Sequence, residues 1–287
     1  MPAGGRPTVR SRRLGAALKR YRLAARLDQP QAAEVIAAHQ TRVSRIETGH
    51  VIARPIEIRA MLKAYGVDDS EVREKLEALA KQSSRRGWWL EHAAHLRPDY
   101  LDHIALEDDA TYIREWQPVL VPGLLQTPAY AEAVISAGPD HVAPDVITQL
   151  VKVREGRQAK IEESGASYTA ILWEAVVAHP LVDVDIHRQQ LAAILEIGQR
   201  KNVTVQVLPF SVGALAASTS AFSSFSFDSV PVVEAVTLEN LRGTSVLEAP
   251  EDLTAYANMY DLLRSAALAP DASARLLRDI LRSIKED

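Results

Sequence analysis

Hydrophobic positions in the first eighty residues recur at spacings of three and four, which is typical of amphipathic helices. The pattern predicts five helices, at about 11–25, 29–36, 40–48, 56–65 and 70–82. Asp28 is a predicted N-cap for the second of them, with Gln31 three residues later and Pro30 in the first turn. This part of the chain is therefore expected to be all-α.

The third predicted helix has two contrasting faces. Val43 and Ile46 lie on an apolar face, and Gly49 supplies the left-handed stop that commonly ends a helix. The opposite face carries polar side chains that can read base edges in a DNA major groove, namely Gln40, Thr41, Ser44 and Arg45. The segment is thus a candidate recognition helix, although the same face would also suit an ordinary solvated helix.

Beyond residue 87 the pattern becomes a mixture of strands and helices. Strands are predicted at 111–117, 167–177, 203–208, 222–227 and 232–238, the last two joined by a turn at Asp228-Ser229. Helices are predicted at 128–137, 143–163, 183–201, 250–267 and 271–285. The fold expected here is α+β, with an antiparallel or mixed sheet.

These patterns divide the chain into four parts. A flexible basic tail is expected at 1–10, a five-helix DNA-binding domain at 11–82, a linker at 83–87 and a regulatory or partner-binding domain at 88–287. The fold class predicted is therefore an all-α helix-turn-helix N-terminal domain followed by a larger α+β C-terminal domain. A length of 287 residues agrees with two domains of ordinary size.

Charge is distributed unevenly between these domains. Residues 1–63 hold 13 Arg or Lys against 4 Asp or Glu, whereas the remainder holds 20 against 33. A basic first quarter on an acidic body is typical of a nucleic-acid-binding domain joined to a separate one, although a basic patch can also be mere solvated surface. The absence of cysteine excludes disulfides and thiolate sites. No signal peptide or long apolar run is evident, so a soluble cytoplasmic protein is expected.

Three segments resemble the helix-turn-helix domain of the Cro/phage-repressor family, also called the XRE family. They are Leu27-Asp28-Gln29, Ala32-Ala33-Glu34 and the run from Val43 to Glu47 with Gly49 after it. The similarity extends over about residues 12–68. It implies a five-helix domain whose third helix lies in the major groove.

The resemblance also implies roles for individual residues. Gln40, Thr41 and Arg45 match base-facing positions of the family, with Ser44 beside them, and Gln29 matches a position that contacts the DNA backbone. Further candidate backbone contacts are His39, Arg42 and Arg54. Arg22 and Glu47 match an arginine and a glutamate that tend to pair in the family, so a partly buried structural ion pair is expected there.

Two positions depart from the family pattern. The tight turn before the third helix usually carries glycine because it needs φ > 0, and here the residue is Ala37, at a cost of roughly 1 kcal/mol. The N-cap is usually Ser or Thr, and here it is His39, a poorer cap. His39 is either a DNA contact or a surface residue without such a role.

The larger domain also carries a resemblance. The strings from Val121 to Ala131 and from Val203 to Phe210, together with Trp116, resemble the C-terminal domain of an actinobacterial regulator family, a domain of unknown function (DUF5753) behind an XRE head. The resemblance implies a transcriptional regulator of a kind that often acts with a small partner protein. It implies no particular ligand.

Candidate chemistry in the larger domain is weak. His92 and His95, with His103 further on, could hold zinc only if another ligand arrived, and paired surface histidines are the alternative. Four serines between 218 and 224 lack a Gly-x-Ser-x-Gly motif. The aromatic residues could line a pocket for an apolar ligand or form the core: Trp88, Trp89, Trp116, Tyr112, Phe210, Phe222 and Phe225. We expect no enzyme, no bound metal and no cofactor.

The function expected is therefore that of a sequence-specific, dimeric transcriptional regulator that binds double-stranded DNA. Dimerisation follows because one short recognition helix reads only a few base pairs. The C-terminal domain is expected to hold the dimer contacts and to sense a small partner protein or a small-molecule effector. The alternative is an antitoxin-like module that binds and neutralises a small partner protein.

Overall fold

The computed structural model describes residues 7–84, 87–138, 142–163, 165–227, 232–240 and 243–284. The chain divides into two compact units, Met1–Trp88 and Trp89–Asp287, called the head and the body below. The head is helical and the body combines helices with a six-stranded sheet, so the predicted fold class is confirmed. Arg85 and Arg86 of the predicted linker and the predicted turn at Asp228-Ser229 lie outside the described residues.

Five helices form the described part of the head. They are α1 (Val9–Ala24), α2 (Gln29–Val35), α3 (Gln40–Glu47), α4 (Pro55–Ala64) and α5 (Ser70–Ser84). α1 begins two residues before the predicted span because Thr8 caps it, its Oγ1 accepting a hydrogen bond from the Ser11 backbone N–H at 3.2 Å. α2 begins at the predicted capping box of Asp28 and Gln31.

Apolar side chains from all five helices meet in one core. They include Leu14, Leu18, Val43, Ile46, Ile58, Met61, Leu62 and Leu76. Gly15 lets α1 cross the end of α3 closely, because a Cβ at this position would lie under 3.0 Å from the Ile46 and Glu47 carbonyl oxygens. The core therefore fixes the position of α3 through its apolar face and through backbone contact with α1.

Four helix ends in the head have a residue in the left-handed region, at Arg26 (φ 58°), Ala37 (φ 48°), Gly49 (φ 77°) and Gly66 (φ 71°). At Ala37 the backbone N–H groups of residues 37 and 38 donate to the carbonyls of Glu34 and Ala33, which closes α2 before the turn to α3. The prediction that this turn requires φ > 0 at Ala37 is confirmed.

Replacing Ala37 by glycine is expected to stabilise the head by up to about 1 kcal/mol, because Gly adopts φ > 0 without the Cβ penalty. The gain is partly offset by the extra freedom of glycine in the unfolded chain. Thermal unfolding of Ala37→Gly measures it. Gly66→Ala is the mirror control, since Gly66 has a similar φ and no neighbouring atom within 4 Å of an added Cβ. Gly66→Ala should lower the midpoint temperature of unfolding. A higher midpoint for Gly66→Ala, or a lower one for Ala37→Gly, would show that the positive φ does not determine the effect.

The body contains eight further helices and six strands among its described residues. The helices are α6 (Pro98–Asp109), α7 (Pro128–Ser136), α8 (Pro144–Glu162), α9 (Glu174–Ala178), α10 (Val184–Ile197), α11 (Gly213–Ala216), α12 (Pro250–Ala266) and α13 (Pro270–Ser283). The strands are β1 (Tyr112–Gln117), β2 (Ser167–Trp173), β3 (Val203–Leu208), β4 (Phe222–Ser226), β5 (Ala235–Asn240) and β6 (Gly243–Leu247). Short 3₁₀ helices occur at Trp88–His95, Gly123–Leu125 and Phe210–Val212.

The strands form one mixed sheet in the order β3-β2-β1-β4-β5-β6. β1 pairs in parallel with β2, and β2 with β3, whereas β1 pairs antiparallel with β4 and the last three strands form an antiparallel meander. Of the two sheet types expected from the sequence, the mixed one is present. β1 therefore lies in the middle of the sheet, where the parallel half meets the antiparallel half.

Two predicted strands in the body had wrong bounds, and further elements were missed. β2 ends at Trp173 and the next five residues form α9, so the predicted strand to residue 177 is four residues too long. The last predicted strand is shifted to Ala235–Asn240, and its partner β6 was missed. α6 was also missed, although several of its residues are fully buried.

Four of the seven aromatic side chains considered as pocket lining are core residues. Trp116, Phe222 and Phe225 are between 0% and 2% exposed, and Trp89 is 4% exposed. Trp116 and Phe222 pack with Tyr260 of α12 against one face of the sheet. Of the two interpretations, pocket lining or core, the burial of these four residues therefore supports the core. In the described part of the chain, no helix is both long and apolar enough to span a membrane.

Candidate nucleic-acid interface

α3 has the two faces that its sequence indicates. Val43, Ile46 and Glu47 are buried against the rest of the head. The opposite face is open: Gln40, Thr41 and Arg45 are exposed and Ser44 is half-buried. The side chains predicted to read bases therefore lie together on one surface.

The ends of α3 are held differently. His39 precedes the helix with extended backbone, and its side chain makes no cap hydrogen bond. The side chain is exposed and is therefore available to partners outside the protein. At the other end Gly49 takes φ 77°, and a Cβ there would lie under 3.0 Å from the Arg12 backbone nitrogen of α1. Glycine is required at this position both by the backbone conformation and by the space.

Arg22 of α1 and Glu47 at the end of α3 form a buried, two-pronged ion pair. Arg22 Nε donates to Glu47 Oε1 at 2.6 Å and Arg22 Nη2 donates to Oε2 at 3.0 Å. The side chains are 6% and 2% exposed, and Arg22 Nη1 also donates to the Leu27 carbonyl. The hydrogen bonds to Glu47 raise the pKa of Arg22. The pair connects the first helix to the end of the recognition helix.

Gln29 extends this pair toward the exposed surface. Its Nε2 donates to Glu47 Oε2 at 2.9 Å, and its Oε1 accepts a hydrogen bond from Gln40 Nε2 at 3.3 Å. A continuous series of side chains thus runs from Arg22 through Glu47 and Gln29 to Gln40; we call it the Arg22–Gln40 chain. It holds the N-terminal residues of α2 and α3 together and orients the Gln40 amide.

Arg42 and Arg54 meet on one carboxylate, that of Glu57 in α4. Arg42 donates to it from Nε at 2.8 Å and from Nη2 at 2.9 Å, and Arg54 donates from Nη2 at 3.1 Å. Burial alone would raise the pKa of Glu57, but the hydrogen bonds from Arg42 and Arg54 lower it to about 2. The two candidate phosphate contacts are therefore neighbours, with side chains 33% and 69% exposed respectively.

Arg45 differs from these arginines. It is exposed, and among the described residues its guanidinium has no hydrogen-bond or ion-pair partner. Thr41 beside it is likewise exposed. The donors of Arg45 are thus available to an acceptor outside the protein, such as a guanine edge or a phosphate oxygen.

Sequence reasoning missed two residues that position this surface. Glu57 occupies the third position of α4 and accepts the Arg54 backbone N–H at 2.7 Å, a capping role that the Pro55-x-Glu57 spacing could have signalled. Gly15 lies within α1, where a glycine costs stability unless close packing requires it. An isolated glycine inside a predicted helix was the available signal.

Comparison with family models agrees with both parts of the chain. A model described as a helix-turn-helix domain matches residues 13–74, and the model of the domain of unknown function DUF5753 matches residues 100–279, which is more than half of the chain. The chain belongs to the DUF5753 family. No curated protein and no solved structure gives a match. The head of this DUF5753 protein is a DNA-binding helix-turn-helix domain.

The three histidines considered as metal ligands, His92, His95 and His103, have the following surroundings. His92 and His95 lie on a 3₁₀ helix, and His92 Nδ1 is 3.1 Å from Gln149 Oε1. His103 is buried between Arg157 and Thr237. Within the described ranges, no three His, Asp or Glu side chains are grouped to hold a metal ion.

Proposed function

We propose that this DUF5753 protein is a sequence-specific transcription regulator that reads the DNA major groove with α3. The observation that carries the proposal is the exposed polar face of α3 on a helix fixed from behind. Arg45 offers unengaged donors on that face, while the Arg22–Gln40 chain orients Gln40 beside it. Pre-oriented side chains lose less entropy when they bind, which favours base-specific contacts.

The surrounding charges support backbone contacts on either side of α3. Arg54 is largely exposed. Arg42 binds Glu57 through Nε and Nη2, which leaves its Nη1 for a phosphate. Gln29 and His39 lie at the N-terminal ends of α2 and α3, where backbone amides also favour phosphate. In this proposal these four residues fix the register on the duplex while α3 specifies the sequence.

The proposal includes a homodimer and a sensing role for the body. Eight residues of α3 reach only a few base pairs, so two copies on half-sites about 34 Å apart would give the specificity that a regulator requires. The body would respond to a partner protein or a small-molecule effector. The proposal assigns the chain no catalytic activity and no cofactor.

Arg45→Ala is expected to weaken binding to the preferred DNA site by about 1–3 kcal/mol and to relax one base position. Arg54→Ala should instead weaken binding to all DNA sequences alike. It should also reduce the slope of log K against log salt concentration by about one. Fluorescence anisotropy on a site selected from random DNA, with single-base variants and at several salt concentrations, separates the two effects.

Arg45→Lys is the matched control because it keeps the charge and loses the planar fork. It should retain the salt dependence of the wild type and lose the discrimination at the same base position. If Arg45→Ala and Arg54→Ala reduce binding to every sequence by the same factor, α3 does not read bases through Arg45. If selection enriches no sequence at all, the proposal of a sequence-specific regulator fails.

A further inference from the structure

A polar cavity of about 250 Å³ lies in the body beside the end of β1. Its walls come from α6, α8, the segment after β1 and the ends of β5 and β6. The volume corresponds to about eight water molecules, which suits a small metabolite. The position also agrees with the general preference of ligands for the carboxyl ends of parallel strands.

Two arginines at this cavity already have acidic partners. Arg157 binds the buried Glu107 through Nε at 2.8 Å and Nη2 at 2.7 Å, and its Nη1 donates to the Tyr100 hydroxyl at 2.6 Å. Arg97 is paired with Asp99 at 3.5 Å. These charges are compensated within the protein, so they do not determine which charge a ligand would carry.

Glu115, at the centre of the sheet, lines the cavity and forms no ion pair among the described residues. Its side chain accepts hydrogen bonds from Gln117 Nε2 at 2.9 Å and from the Tyr168 hydroxyl at 2.7 Å. The residue is 5% exposed, and no described Lys, Arg or His lies within ion-pair distance of it. Burial raises the pKa of Glu115, although both hydrogen bonds and the charge of Arg157 act in the opposite direction. A cationic group in the cavity would compensate its charge.

Arg154 faces the same cavity from α8 and is a cation that forms no ion pair among the described residues. Its Nη1 donates to Gln126 Oε1 at 2.5 Å, and among the described residues it has no carboxylate within ion-pair distance. The amide of Gln126 is neutral, so the charge of Arg154 remains available to an anion. The guanidinium geometry favours a carboxylate, which it can bind through two hydrogen bonds.

The cross-strand row of the sheet that contains Glu115 is polar, whereas the next row on the same face is apolar. Glu115, Ser223 and Thr237 are aligned across β1, β4 and β5 by the strand register and share one face of the sheet. All three are buried. Burying polar groups costs free energy that apolar residues would not require, and such costs are concentrated at functional sites.

We propose that this cavity binds a small zwitterion of the amino-acid class, with its carboxylate on Arg154 and its ammonium group on Glu115. Arg154 and Glu115, each without an ion pair among the described residues, favour a molecule that carries both charges over a simple anion or cation. The exposed Glu239 also lines the cavity and is a second carboxylate that an ammonium group can meet. The inference rests on the proposed function only in giving the body a sensing role; binding itself requires no DNA. The cavity would then be the effector site of the regulator.

The twenty L-amino acids, tested one at a time against the full chain by calorimetry and ligand-observed NMR, provide the probe. At least one is expected to bind with Kd below about 1 mM. For that amino acid, the amine lacking the carboxylate and the acid lacking the amino group should each bind at least tenfold more weakly. This comparison uses the wild-type protein and is independent of the folding of any variant.

Glu115→Gln and Arg154→Gln should each weaken the same amino acid at least tenfold. Glu155→Gln and Lys152→Gln are the matched controls, since they remove the same charges from exposed positions of α8 and should bind as the wild type does. The proposal is overturned if no amino acid binds, if either one-charged analogue binds as tightly, or if both cavity variants keep full affinity. A failure of DNA selection with intact amino-acid binding would instead overturn the proposed function alone.

Discussion

Glu47→Ala is expected to destabilise the head by about 3–5 kcal/mol. The change leaves the Arg22 guanidinium buried without its carboxylate, and it also removes the acceptor of Gln29. A loss of this size is a large fraction of the stability of a small domain. Hydrogen exchange of the full chain, followed by mass spectrometry of head peptides, measures the change separately from the body.

Glu34→Ala is the matched control for this effect, because Glu34 is an exposed acid on α2. It should change stability by no more than about 0.5 kcal/mol. The double variant Arg22→Met with Glu47→Leu should recover much of the loss, since it removes the unpaired charge together with its partner. Equal hydrogen-exchange rates of head peptides in Glu47→Ala and Glu34→Ala would show that the ion pair contributes little to the stability of the head.

Glu107→Ala is expected to destabilise the body by a similar amount, about 3–5 kcal/mol. Arg157 would lose both of its short hydrogen bonds to a carboxylate in a buried position and would keep its contacts with Tyr100 and His103. Exchange in body peptides should rise sharply while head peptides stay unchanged. Glu155→Ala, on the exposed surface of α8, should leave both sets unchanged.

The Glu107 carboxylate also makes the stability of the body depend on pH at acid values. Burial alone would raise the pKa of Glu107, but the charge and hydrogen bonds of Arg157 lower it to about 2, from an ordinary value of 4.5. A depressed folded-state pKa contributes stability above pH 4.5, and the contribution is lost as the pH falls toward 2. In Glu107→Gln, the protection of body peptides against hydrogen exchange should therefore depend less on pH across this range than in the wild type. A dependence equal to that of the wild type would assign it to other groups.

The head could be predicted from the sequence because its signals are local. The spacing of Val43 and Ile46, the Asp28 cap and the glycine after α3 each act within a few residues. The left-handed conformation of Ala37 was predicted from the family resemblance, since this turn usually carries a glycine in the family. Arg26 takes the same conformation without a glycine or asparagine at that position, so its positive φ could not be predicted.

The body was predicted less completely because tertiary packing determines several of its elements. α6 turns Asp102, His103 and Glu107 toward the interior, so its sequence lacks the apolar stripe of a buried helix. Val176 and Val177 favour a strand in isolation, yet they belong to α9. β6 is an edge strand with partly exposed residues and therefore has a weak pattern.

The cavity in the body could not be recognised from the sequence for a related reason. Glu115, Gln126, Arg154 and Thr244 come from four separate elements or loops, and no short spacing connects them. The aromatic residues, which are conspicuous in the sequence, form core instead. Only the strand register and the packing of α6 and α8 bring the charged residues together.

Sequence-specific DNA binding is the central claim, and a competition titration tests it most directly. The full chain is titrated at one physiological salt concentration with the site selected from random DNA, against scrambled DNA of the same length and composition. We predict at least about a thousandfold preference for the selected site, reduced in Arg45→Lys. Equal affinity for the two DNAs would contradict the account.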